Sequence, residues 1–450
     1  MHPRNLQGKR LLIVGFGLTG ASVARYLARQ ELPFDIADEC DLTVAEERAA
    51  TFNCQVFAKF DAELFKRYEV LILSPGVPRS TPAVVAALAA NVDVIGDIEL
   101  FANAVQAPVI AVTGSNGKST VVSWISHVLQ AAGLDAVACG NIGLPALDSL
   151  QQGADVFVLE LSSYQLESTR SLKPLSAVVL NVSDDHLDRY DSIDHYAAIK
   201  RQVYNGATHC VANGDDDRTW PASVGECEYF TVNCESEVLR PDGQQTRWRR
   251  MHKDRELWLS DQHLALMPEG RLSLPGVHNV GNALAVLALI EPLSVSFDAL
   301  SEALAAFSGL PHRSEFLAEH NGVRWYNDSK GTNVDACNKA VTAMPGPVLL
   351  IAGGISKAAD FAPLRPVIEQ RVKLLVLIGQ DRALIADQLH GAAPVVMADD
   401  LRSAVQHCKV HAEPGDVVLL SPACSSFDMF RNFEDRGEQF TQAVAEVLAA

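Results

Sequence analysis

The segment of this chain best suited to chemistry is a glycine-rich loop made of Gly114, Ser115, Asn116, Gly117, Lys118, Ser119 and Thr120. An apolar run precedes the loop and a helical stretch, 121–132, follows it. Backbone N–H groups of such a loop can surround phosphate oxygens, and the positive end of the following helix adds to their attraction. In this pattern the lysine reaches the β- and γ-phosphates and the next hydroxyl binds Mg²⁺. Val112 stands where the usual spacing has a glycine, so an ordinary strand–turn–helix is the alternative, but the order of elements favours phosphate binding.

A second glycine-rich loop, Gly15-Phe-Gly-Leu-Thr-Gly20, follows an apolar run near the start of the chain. A predicted helix, 21–29, comes next, and a second strand ends at Asp38, about 20 residues beyond the glycines, as in the dinucleotide-binding fingerprint. The pattern on its own suggests NAD, and a Rossmann-like domain that binds another ligand is the alternative. We favour the alternative because a stronger phosphate loop lies downstream.

Polar residues follow three apolar runs in the middle of the chain, namely Asn141, Glu160 and His186. Ligands of an open α/β sheet lie outside the carboxyl ends of its strands, so we expect these side chains on the same side as Lys118. A carboxylate and an imidazole beside a triphosphate loop are plausible Mg²⁺ ligands. Taken singly, Glu160 is typical of a helix start and His186 of a loop hydrogen bond, but their joint placement favours a metal site.

The composition limits the classes of protein to which the chain can belong. Its 450 residues exceed one hydrophobic core, so we expect two to four domains. The net charge of −18 argues against a nucleic-acid partner. We expect no membrane span and a cytoplasmic protein, because no apolar run has transmembrane length and the start does not resemble a signal peptide. The 9 cysteines, without a C-x-x-C pair, indicate a reducing compartment and no structural zinc.

The elements that must position these residues form three strand–loop–helix series, which predicts an α/β protein of three domains. We predict a Rossmann-like N-terminal domain over 1–107, a central P-loop ATP-binding α/β domain over 108–311 and a C-terminal Rossmann-like α/β domain over 312–450. Residues 213–275 are predicted to form short strands and loops without chemistry. Asn279 and Asn282 share one face near the start of an apolar helix predicted over 283–290, where they could cap the helix or bind a base.

In the C-terminal segment, cations and hydroxyls again follow the predicted strands: Lys330, Thr332, Lys357 and Ser426. Such a surface suits an anionic co-substrate held between domains. A dehydrogenase would leave Lys118 and the third domain unused, a small-molecule kinase needs no third domain, and a GTPase-like switch would be a regulator. Three α/β blocks with one ATP loop therefore favour a ligase in which ATP activates a carboxylate.

Several motifs resemble the Mur ligase family and occur in its order: Thr113-Gly-Ser-Asn-Gly-Lys-Ser-Thr120, Gly140-Asn-Ile-Gly143, Glu160-Leu-Ser-Ser163, Asp185-His186, His278-Asn279, Pro311-His-Arg313 and Asn327-Asp-Ser-Lys330. Three more segments are similar to the family member that adds D-glutamate, and they extend the resemblance to the whole chain: 15–20, 96–101 and 421–437. The Asp-Asn-Pro-Arg segment of the diaminopimelate- or lysine-adding member is absent. An alanine-adding or folylpolyglutamate-type ligase and a nucleotide-binding regulator without turnover remain the alternatives.

The resemblance implies an ATP-dependent ligase of peptidoglycan synthesis whose other substrates are UDP-N-acetylmuramoyl-L-alanine and D-glutamate. ATP would phosphorylate the alanyl carboxylate, and the amine of D-glutamate would displace phosphate from the acyl phosphate. We expect a monomer. The family also implies that the N-terminal glycine loop holds uridine diphosphate rather than NAD.

The resemblance also implies roles for individual residues. Lys118, Glu160, His186 and Lys200 would be catalytic; Ser119 and Glu160 would hold one Mg²⁺ ion and His186 a second. Lys200, which the sequence alone predicts to lie on a helix surface, matches a lysine whose carbamate would ligate metal.

Beyond the phosphate loop, the residues matched to ATP are Asn279, Arg313 and Asp328. Those matched to the UDP-substrate are Leu18, Thr19, Asp38, Ser74, Gly76, Asn141, Ser162 and Gln165. Those matched to D-glutamate are Thr332, Lys357, Ser426 and Phe433. Glu39-Cys40 stands where relatives often carry Thr-Arg, which leaves the uridine contacts open.

Overall fold

A computed structural model describes residues 6–39, 42–185, 189–221, 227–233, 246–262, 264–274, 276–356 and 359–449. These residues form three β-sheets with helices, which confirms the predicted α/β class. They divide into two compact units. The first consists of the described residues of Met1–Val182, Arg189–Ser273 and Val280–Phe307, and the second of those of Ser183–Asp188, Leu274–Asn279 and Ser308–Ala450.

The first sheet has five parallel strands in the order β3-β2-β1-β4-β5. Its strands are β1 (Leu11–Val14), β2 (Phe34–Ala37), β3 (Val56–Phe57), β4 (Val70–Leu73) and β5 (Asp93–Gly96). Its helices are α1 (Leu18–Arg29), α2 (Leu42–Ala49), α3 (Ala62–Phe65), α4 (Pro82–Ala89) and α5 (Asp97–Ala104). Strands β1 and β4 are buried at every residue, as expected for a parallel sheet covered on both faces. The strand order reverses between them, which is where such sheets bind ligands.

The second sheet has nine strands in the order β14-β13-β12-β11-β10-β9-β6-β8-β7, parallel except for the two hairpins at β12–β14. Its strands are β6 (Val109–Thr113), β7 (Ala136–Gly140), β8 (Val156–Glu160), β9 (Ser176–Val179), β10 (His209–Asn213), β11 (Cys227–Thr231), β12 (Trp248–Lys253), β13 (Glu256–Asp261) and β14 (Leu264–Pro268). Its helices are α6 (Lys118–Ala131), α7 (Ala146–Ser149), α8 (Ser163–Leu166), α9 (Ile193–Arg201), α10 (Val277–Ile290) and α11 (Phe297–Ala306). Strands β11–β14 bear out the short strands predicted for 213–275.

Helix α6, which begins at the phosphate loop, is held firmly in the first unit. Nine of its residues are buried, and the ring of Trp124 stacks on Phe307 with centroids 5.0 Å apart. The indole N–H of Trp124 also donates to the carbonyl oxygen of Leu304, 3.1 Å away. The position of the phosphate loop is therefore set by a buried strand on one side and a packed helix on the other.

The third sheet has six strands in the order β15-β16-β20-β17-β18-β19, and only the edge strand β15 is antiparallel to its neighbour. Its strands are β15 (Glu315–His320), β16 (Val323–Asn327), β17 (Val348–Gly353), β18 (Val372–Ile378), β19 (Val395–Met397) and β20 (Val417–Leu420). Its helices are α12 (Val334–Ala343), α13 (Arg365–Arg371), α14 (Arg382–Gln388), α15 (Leu401–His411) and α16 (Phe433–Ala449).

The strands of each sheet come from one of the three predicted segments, but the boundaries at 107 and 311 stay a prediction. The start of three helices was predicted too late. Helix α1 begins at Leu18 rather than at 21, and α10 at Val277 rather than at 283, because glycine and asparagine in their first turns obscured the apolar periodicity. Helix α6 begins at Lys118 rather than at 121, because its polar first turn was assigned to the phosphate loop. No helix in the described ranges is both long and apolar enough to cross a membrane.

Candidate active site

The phosphate loop, residues 114–120, follows the buried strand β6 and ends in the first turn of α6. Gly117 caps the helix with φ +84°, in the left-handed region that favours glycine. A Cβ there would lie 3.0 Å from Oδ1 of Asn282, so a larger residue would also require the Asn282 side chain to shift. Behind the loop, the 14-residue helix α6 directs its positive end toward any bound anion.

Lys118 holds its ammonium group within the phosphate loop. Its Nζ donates to the carbonyl oxygens of Gly114 and Ser115, each at 2.8 Å. The charge thus lies where a phosphate on the loop N–H groups would meet it. This geometry fits the role predicted for Lys118 in neutralising phosphate charge.

The sequence analysis missed Asn181, which braces the phosphate loop from the end of β9. Its backbone carbonyl accepts from Ser115 N at 2.9 Å, its Oδ1 accepts from Asn116 N at 2.9 Å, and its Nδ2 donates to the carbonyl oxygen of Asn116 at 3.0 Å. The side-chain amide of Asn181 interrupts the apolar run 177–182, and this interruption is the sequence feature from which it could have been predicted.

Glu160 ends strand β8 and is 2 % exposed. Its Oε1 accepts from Asn141 Nδ2 at 2.8 Å, whereas its Oε2 has no hydrogen-bond partner among the described residues. Strand β8 is paired in parallel with β6, and Glu160 is in register with Val112, close to where the phosphate loop begins. A buried carboxylate oxygen that lacks a hydrogen-bond donor is suited to bind a cation. The predicted placement of Asn141 and Glu160 at one edge of the sheet is therefore confirmed.

Lys200 is buried rather than on a helix surface, so the prediction from the sequence alone was wrong. It is 1 % exposed, because it shares the inward face of α9 with Tyr196, four residues earlier. Its Nζ lies 4.4 Å from the Tyr196 ring centre and donates to the carbonyl oxygen of Gly114 at 2.8 Å. Lys118 donates to the same oxygen, so two ammonium groups meet at one point of the phosphate loop.

The N-terminal glycine loop, residues 15–20, is held by residues matched to the UDP-substrate. Gly15 has φ +87°, and its carbonyl oxygen accepts from Ser74 Oγ at 2.6 Å. The carboxylate of Asp38 accepts from the backbone N–H of Phe16 at 2.6 Å, so one of its oxygens serves the loop itself. Leu18, at the tip of the loop, is 85 % exposed. Thr19 is half-buried beside Leu18, and Gly76 is exposed after β4.

Ser162 and Gln165 form a capping box at the start of α8. Ser162 is half-buried and Gln165 is buried, with its side-chain amide bonded to Ser162 on one side and to Asp97 on the other. The structure therefore shows Gln165 as a support for Ser162. A direct contact of Gln165 with substrate stays a prediction.

The second compact unit contains most of the remaining predicted residues. Asp328 follows β16 and accepts from Ser421 Oγ at 2.6 Å and from Ser314 N at 3.0 Å. Burial raises the pKa of Asp328 to about 6, and the positive charge of Arg313 opposes that rise. Asn279 belongs to the same unit and is buried in the first turn of α10.

Of the residues matched to D-glutamate, Thr332 lies in the loop after β16, Ser426 lies in the loop after β20, and Phe433 begins α16. Thr332 and Phe433 are half-buried, and Ser426 is 2 % exposed. The Nζ of Lys330 lies over the Phe433 ring, 3.6 Å from its centre, which brings a cation into this group. Two predicted residues, His186 and Lys357, lie outside the described residues.

Arg436 is a further buried residue that the sequence analysis did not single out, although it lies in the segment 421–437. It is fully buried on α16 and donates to Ser329 Oγ at 3.0 Å, to the Ser329 carbonyl at 2.8 Å and to the Cys424 carbonyl at 3.1 Å. It thereby joins the loop after β16 to the loop after β20. Burial lowers the pKa of Arg436 to about 10.

Three family profiles match the chain in succession. One described as "Mur ligase MurD-like, N-terminal domain" matches residues 9–96, one described as "Mur ligase middle domain" matches 112–290, and one described as "Mur ligase, glutamate ligase domain" matches 312–424. These matches span all three sheets.

Two similar curated proteins are each named UDP-N-acetylmuramoylalanine–D-glutamate ligase. The protein of Nitrosococcus oceani is 44% identical over 449 residues, 97% of this chain and 97% of that protein. The protein of Pseudomonas aeruginosa is 42% identical over 445 residues, 97% of this chain and 98% of that protein.

Two solved structures share the fold at low sequence identity. The UDP-N-acetylmuramate–alanine ligase of Thermotoga maritima has a TM-score of 0.60 and 19% identity, with 97% of this chain and 99% of that chain covered. The MurF ligase of Thermotoga maritima, in complex with ADP, has a TM-score of 0.58 and 15% identity, with 100% and 97% covered.

Proposed function

The chain belongs to the Mur ligase family, and we propose that it is an ATP-dependent ligase that joins D-glutamate to UDP-N-acetylmuramoyl-L-alanine, a cytoplasmic step of peptidoglycan synthesis. The observation that carries the proposal is the phosphate loop with Lys118, which follows a strand paired with the one that ends at the buried Glu160. The second carboxylate oxygen of Glu160 has no hydrogen-bond partner among the described residues. The choice of D-glutamate is supported by the relatives of that name, which match nearly the whole chain.

The first step is transfer of the γ-phosphoryl group of ATP to the alanyl carboxylate. The bond from the γ-phosphorus to its bridging oxygen breaks, and a new bond to a carboxylate oxygen forms. A carboxylate is a poor electrophile, and the acyl phosphate gives it a leaving group. Phosphoryl transfer depends mainly on in-line placement and on neutralising charge. The loop N–H groups and α6 would place the phosphates, and Lys118 would neutralise them.

In the second step, the unprotonated amine of D-glutamate attacks the acyl phosphate. The new C–N bond forms first and gives a tetrahedral intermediate. The C–O bond to phosphate then breaks, so inorganic phosphate leaves and the nitrogen loses one proton. We propose that Thr332, Lys357, Ser426 and Phe433 bind D-glutamate, with Lys357 at its α-carboxylate.

The donors present fit Mg²⁺, which prefers oxygen ligands. We propose that Ser119 and Glu160 hold one ion and that His186 and a carbamate on Lys200 hold a second. Bound Mg²⁺ would neutralise phosphate charge. The carbamate is supported by the burial of Lys200 against the carbonyl oxygen that also receives Lys118, because it would replace one of two adjacent positive charges with metal-binding oxygens. Incubation with ¹³C-bicarbonate should give a carbamate signal in wild type that is lost in Lys200→Arg.

We further propose that Asn279, Arg313 and Asp328 contact the nucleotide of ATP. The UDP-substrate would lie against the N-terminal glycine loop, with Leu18, Thr19, Asp38, Ser74 and Gly76, and would reach Asn141 and Ser162. Domains over 1–107, 108–311 and 312–450 and a monomeric state are part of this proposal.

The deciding experiment measures phosphate release from ATP with Mg²⁺, UDP-N-acetylmuramoyl-L-alanine and each of several amino acids. Release that requires the muramoyl nucleotide together with D-glutamate, and not L-glutamate, would support the proposal. Release with another pair would keep the ligase chemistry and change the substrates. ATP binding without release for any pair would favour a regulator.

A further inference from the structure

Helix α5 begins with a buried carboxylate, Asp97, that is hydrogen-bonded to the segment containing Ser162. Asp97 is the first residue of α5 and is 4 % exposed. Its Oδ2 accepts from Nε2 of Gln165 at 3.2 Å, and its Oδ1 has no hydrogen-bond partner within the described ranges. Burial raises the pKa of Asp97 to about 6, so the ionised side chain is costly to keep here. The reaction proposed above gives Asp97 no role.

The opposite end of the Gln165 side chain is bonded to Ser162. Its Oε1 accepts from the backbone N–H of Ser162 at 3.1 Å and from Ser162 Oγ at 3.2 Å. The backbone N–H of Gln165 donates back to Ser162 Oγ at 3.2 Å. The side-chain amide of Gln165 therefore bridges the carboxylate of Asp97 and the hydroxyl of Ser162.

The chemistry of the three groups sets the direction of each hydrogen bond that links Asp97, Gln165 and Ser162. An ionised carboxylate only accepts, so Asp97 requires the NH₂ end of the Gln165 amide to face it. The oxygen end must then face Ser162, whose hydroxyl proton is committed to it. One lone pair of Ser162 Oγ takes the Gln165 N–H, and the other stays available.

We propose that Asp97 is a positioning residue for the muramoyl substrate, which acts through Gln165 to present Ser162 Oγ as a hydrogen-bond acceptor. The partner on the substrate must then be a donor. The amide N–H groups and sugar hydroxyls of UDP-N-acetylmuramoyl-L-alanine qualify, whereas its phosphates and its carboxylate do not. This inference rests on the proposed function, because it concerns the same substrate site.

Glu99, two residues further along α5, attaches the helix through hydrogen bonds of its own. Its carboxylate accepts from Arg170 N at 2.6 Å, from Ser171 N at 3.0 Å and from Ser171 Oγ at 2.6 Å. Glu99 thus already ties α5 to the chain beyond α8, with both oxygens satisfied. Glu99→Gln is a matched control, because it changes a buried carboxylate of the same helix whose hydrogen bonds go to Arg170 and Ser171.

The test compares Asp97→Asn, Gln165→Glu and the double variant by calorimetric titration with UDP-N-acetylmuramoyl-L-alanine and by steady-state kinetics. Asp97→Asn keeps the shape but not the charge that orients Gln165, so Kd and KM for the muramoyl nucleotide should rise about tenfold. The KM values for ATP and D-glutamate and the kcat should stay within about twofold. Gln165→Glu should weaken muramoyl binding at least as much, because it sets two carboxylates against each other.

The double variant reverses the polarity of the bridge and should restore binding to within about threefold of wild type. The amide of Asn at 97 can donate to the carboxylate of Glu at 165, which still accepts from both Ser162 groups. Glu99→Gln should lower thermal stability and leave muramoyl binding unchanged.

Normal muramoyl binding in Asp97→Asn would overturn the inference, as would a double variant no better than the single ones. A parallel rise of all three KM values would assign Asp97 a merely structural role. A wild-type protein that does not bind the muramoyl nucleotide would refute the proposed function, and this assignment with it. Wild-type binding that is insensitive to Asp97 would refute the assignment alone.

Discussion

Replacing Glu160 by glutamine should stabilise the protein alone and weaken its complex with Mg²⁺ and nucleotide. The glutamine oxygen can still accept from Asn141 Nδ2, now 2.8 Å from Oε1. Its amide nitrogen would replace Oε2, which is buried without a hydrogen-bond partner among the described residues. An unsatisfied buried polar atom costs about 1–3 kcal/mol, and more when it is charged. We therefore expect the free energy of unfolding without ligands to rise by about 1 kcal/mol.

With Mg²⁺ and ADP the sign should reverse, because the variant loses the anionic oxygen that we propose as a ligand of the ion. Loss of a group that supports a metal site typically costs 10- to 100-fold in affinity, which we take as roughly the minimum here. At ligand concentrations above both dissociation constants, tenfold weaker binding removes about 1.4 kcal/mol of ligand-induced stabilisation.

Urea unfolding of wild type and Glu160→Gln would measure both effects, in buffer alone, with ADP and EDTA, and with ADP and Mg²⁺. Glu99→Gln is the matched control, because its carboxylate is buried but fully hydrogen-bonded. It should destabilise the protein by a similar amount in all three conditions. A Glu160→Gln protein less stable than wild type without ligands, or one equally stabilised by Mg²⁺ and ADP, would refute the reasoning.

Four further predictions concern other residues. Lys118→Ala should lower kcat by at least about 10²–10³, the usual effect of losing a preorganised charge, and near-normal turnover would exclude the phosphate loop from the mechanism. Lys357→Ala should mainly raise the KM for D-glutamate, measured at saturating ATP and muramoyl nucleotide, and an unchanged KM would reassign that residue. Burial raises the pKa of Asp97 and of Asp328 to about 6. Between about pH 4 and 6 each carboxyl group therefore binds more protons in the native state than in the unfolded state. The free energy of unfolding should consequently fall as the pH rises through that range. Asparagine does not titrate, so the free energy of unfolding of Asp328→Asn should rise relative to that of wild type by up to about 3 kcal/mol between pH 4 and pH 7. Urea unfolding would measure this, and a difference between the two proteins that does not change with pH would contradict the prediction. Arg436→Lys should lower the free energy of unfolding by about 2–4 kcal/mol, because one ammonium cannot reach three acceptors on two loops, and a thermal midpoint equal to that of wild type would show that the bonds contribute little.

The parts of the site that follow a buried strand could be predicted from sequence, because the carboxyl ends of parallel strands all lie at the same edge of the sheet. The register of β6, β7 and β8 brings Asn141 to Glu160 as the apolar runs indicated. The side on which a helix residue points was harder to predict. Lys200 is buried because α9 turns its inward face, with Tyr196, toward the phosphate loop, and a single charged residue in a short helix carries no signal of that orientation.

Supporting residues were harder still, because their partners lie far away in sequence. Asp97 meets Gln165 across 68 positions, and Arg436 meets Ser329 across 107. Their side chains are ordinary in type, and no local spacing marks them. Both lie in segments that resemble the Mur ligase family. The resemblance indicates that the segment contributes to function, but it does not identify which side chain in the segment supports the site.

The charges around Gly114 link the proposed carbamate to the proposed second Mg²⁺ ion. Lys118 and Lys200 both donate to the Gly114 carbonyl, so the unmodified phosphate loop carries two adjacent positive charges that attract ATP without metal. A carbamate on Lys200 would change one of them to a negative charge and repel the phosphates unless a further cation were bound between them. Carbamate and metal would then each raise the affinity for the other, since such coupling is reciprocal. A ligase of this design would bind ATP without metal when Lys200 is unmodified, and would bind it together with the second ion when the lysine carries the carbamate.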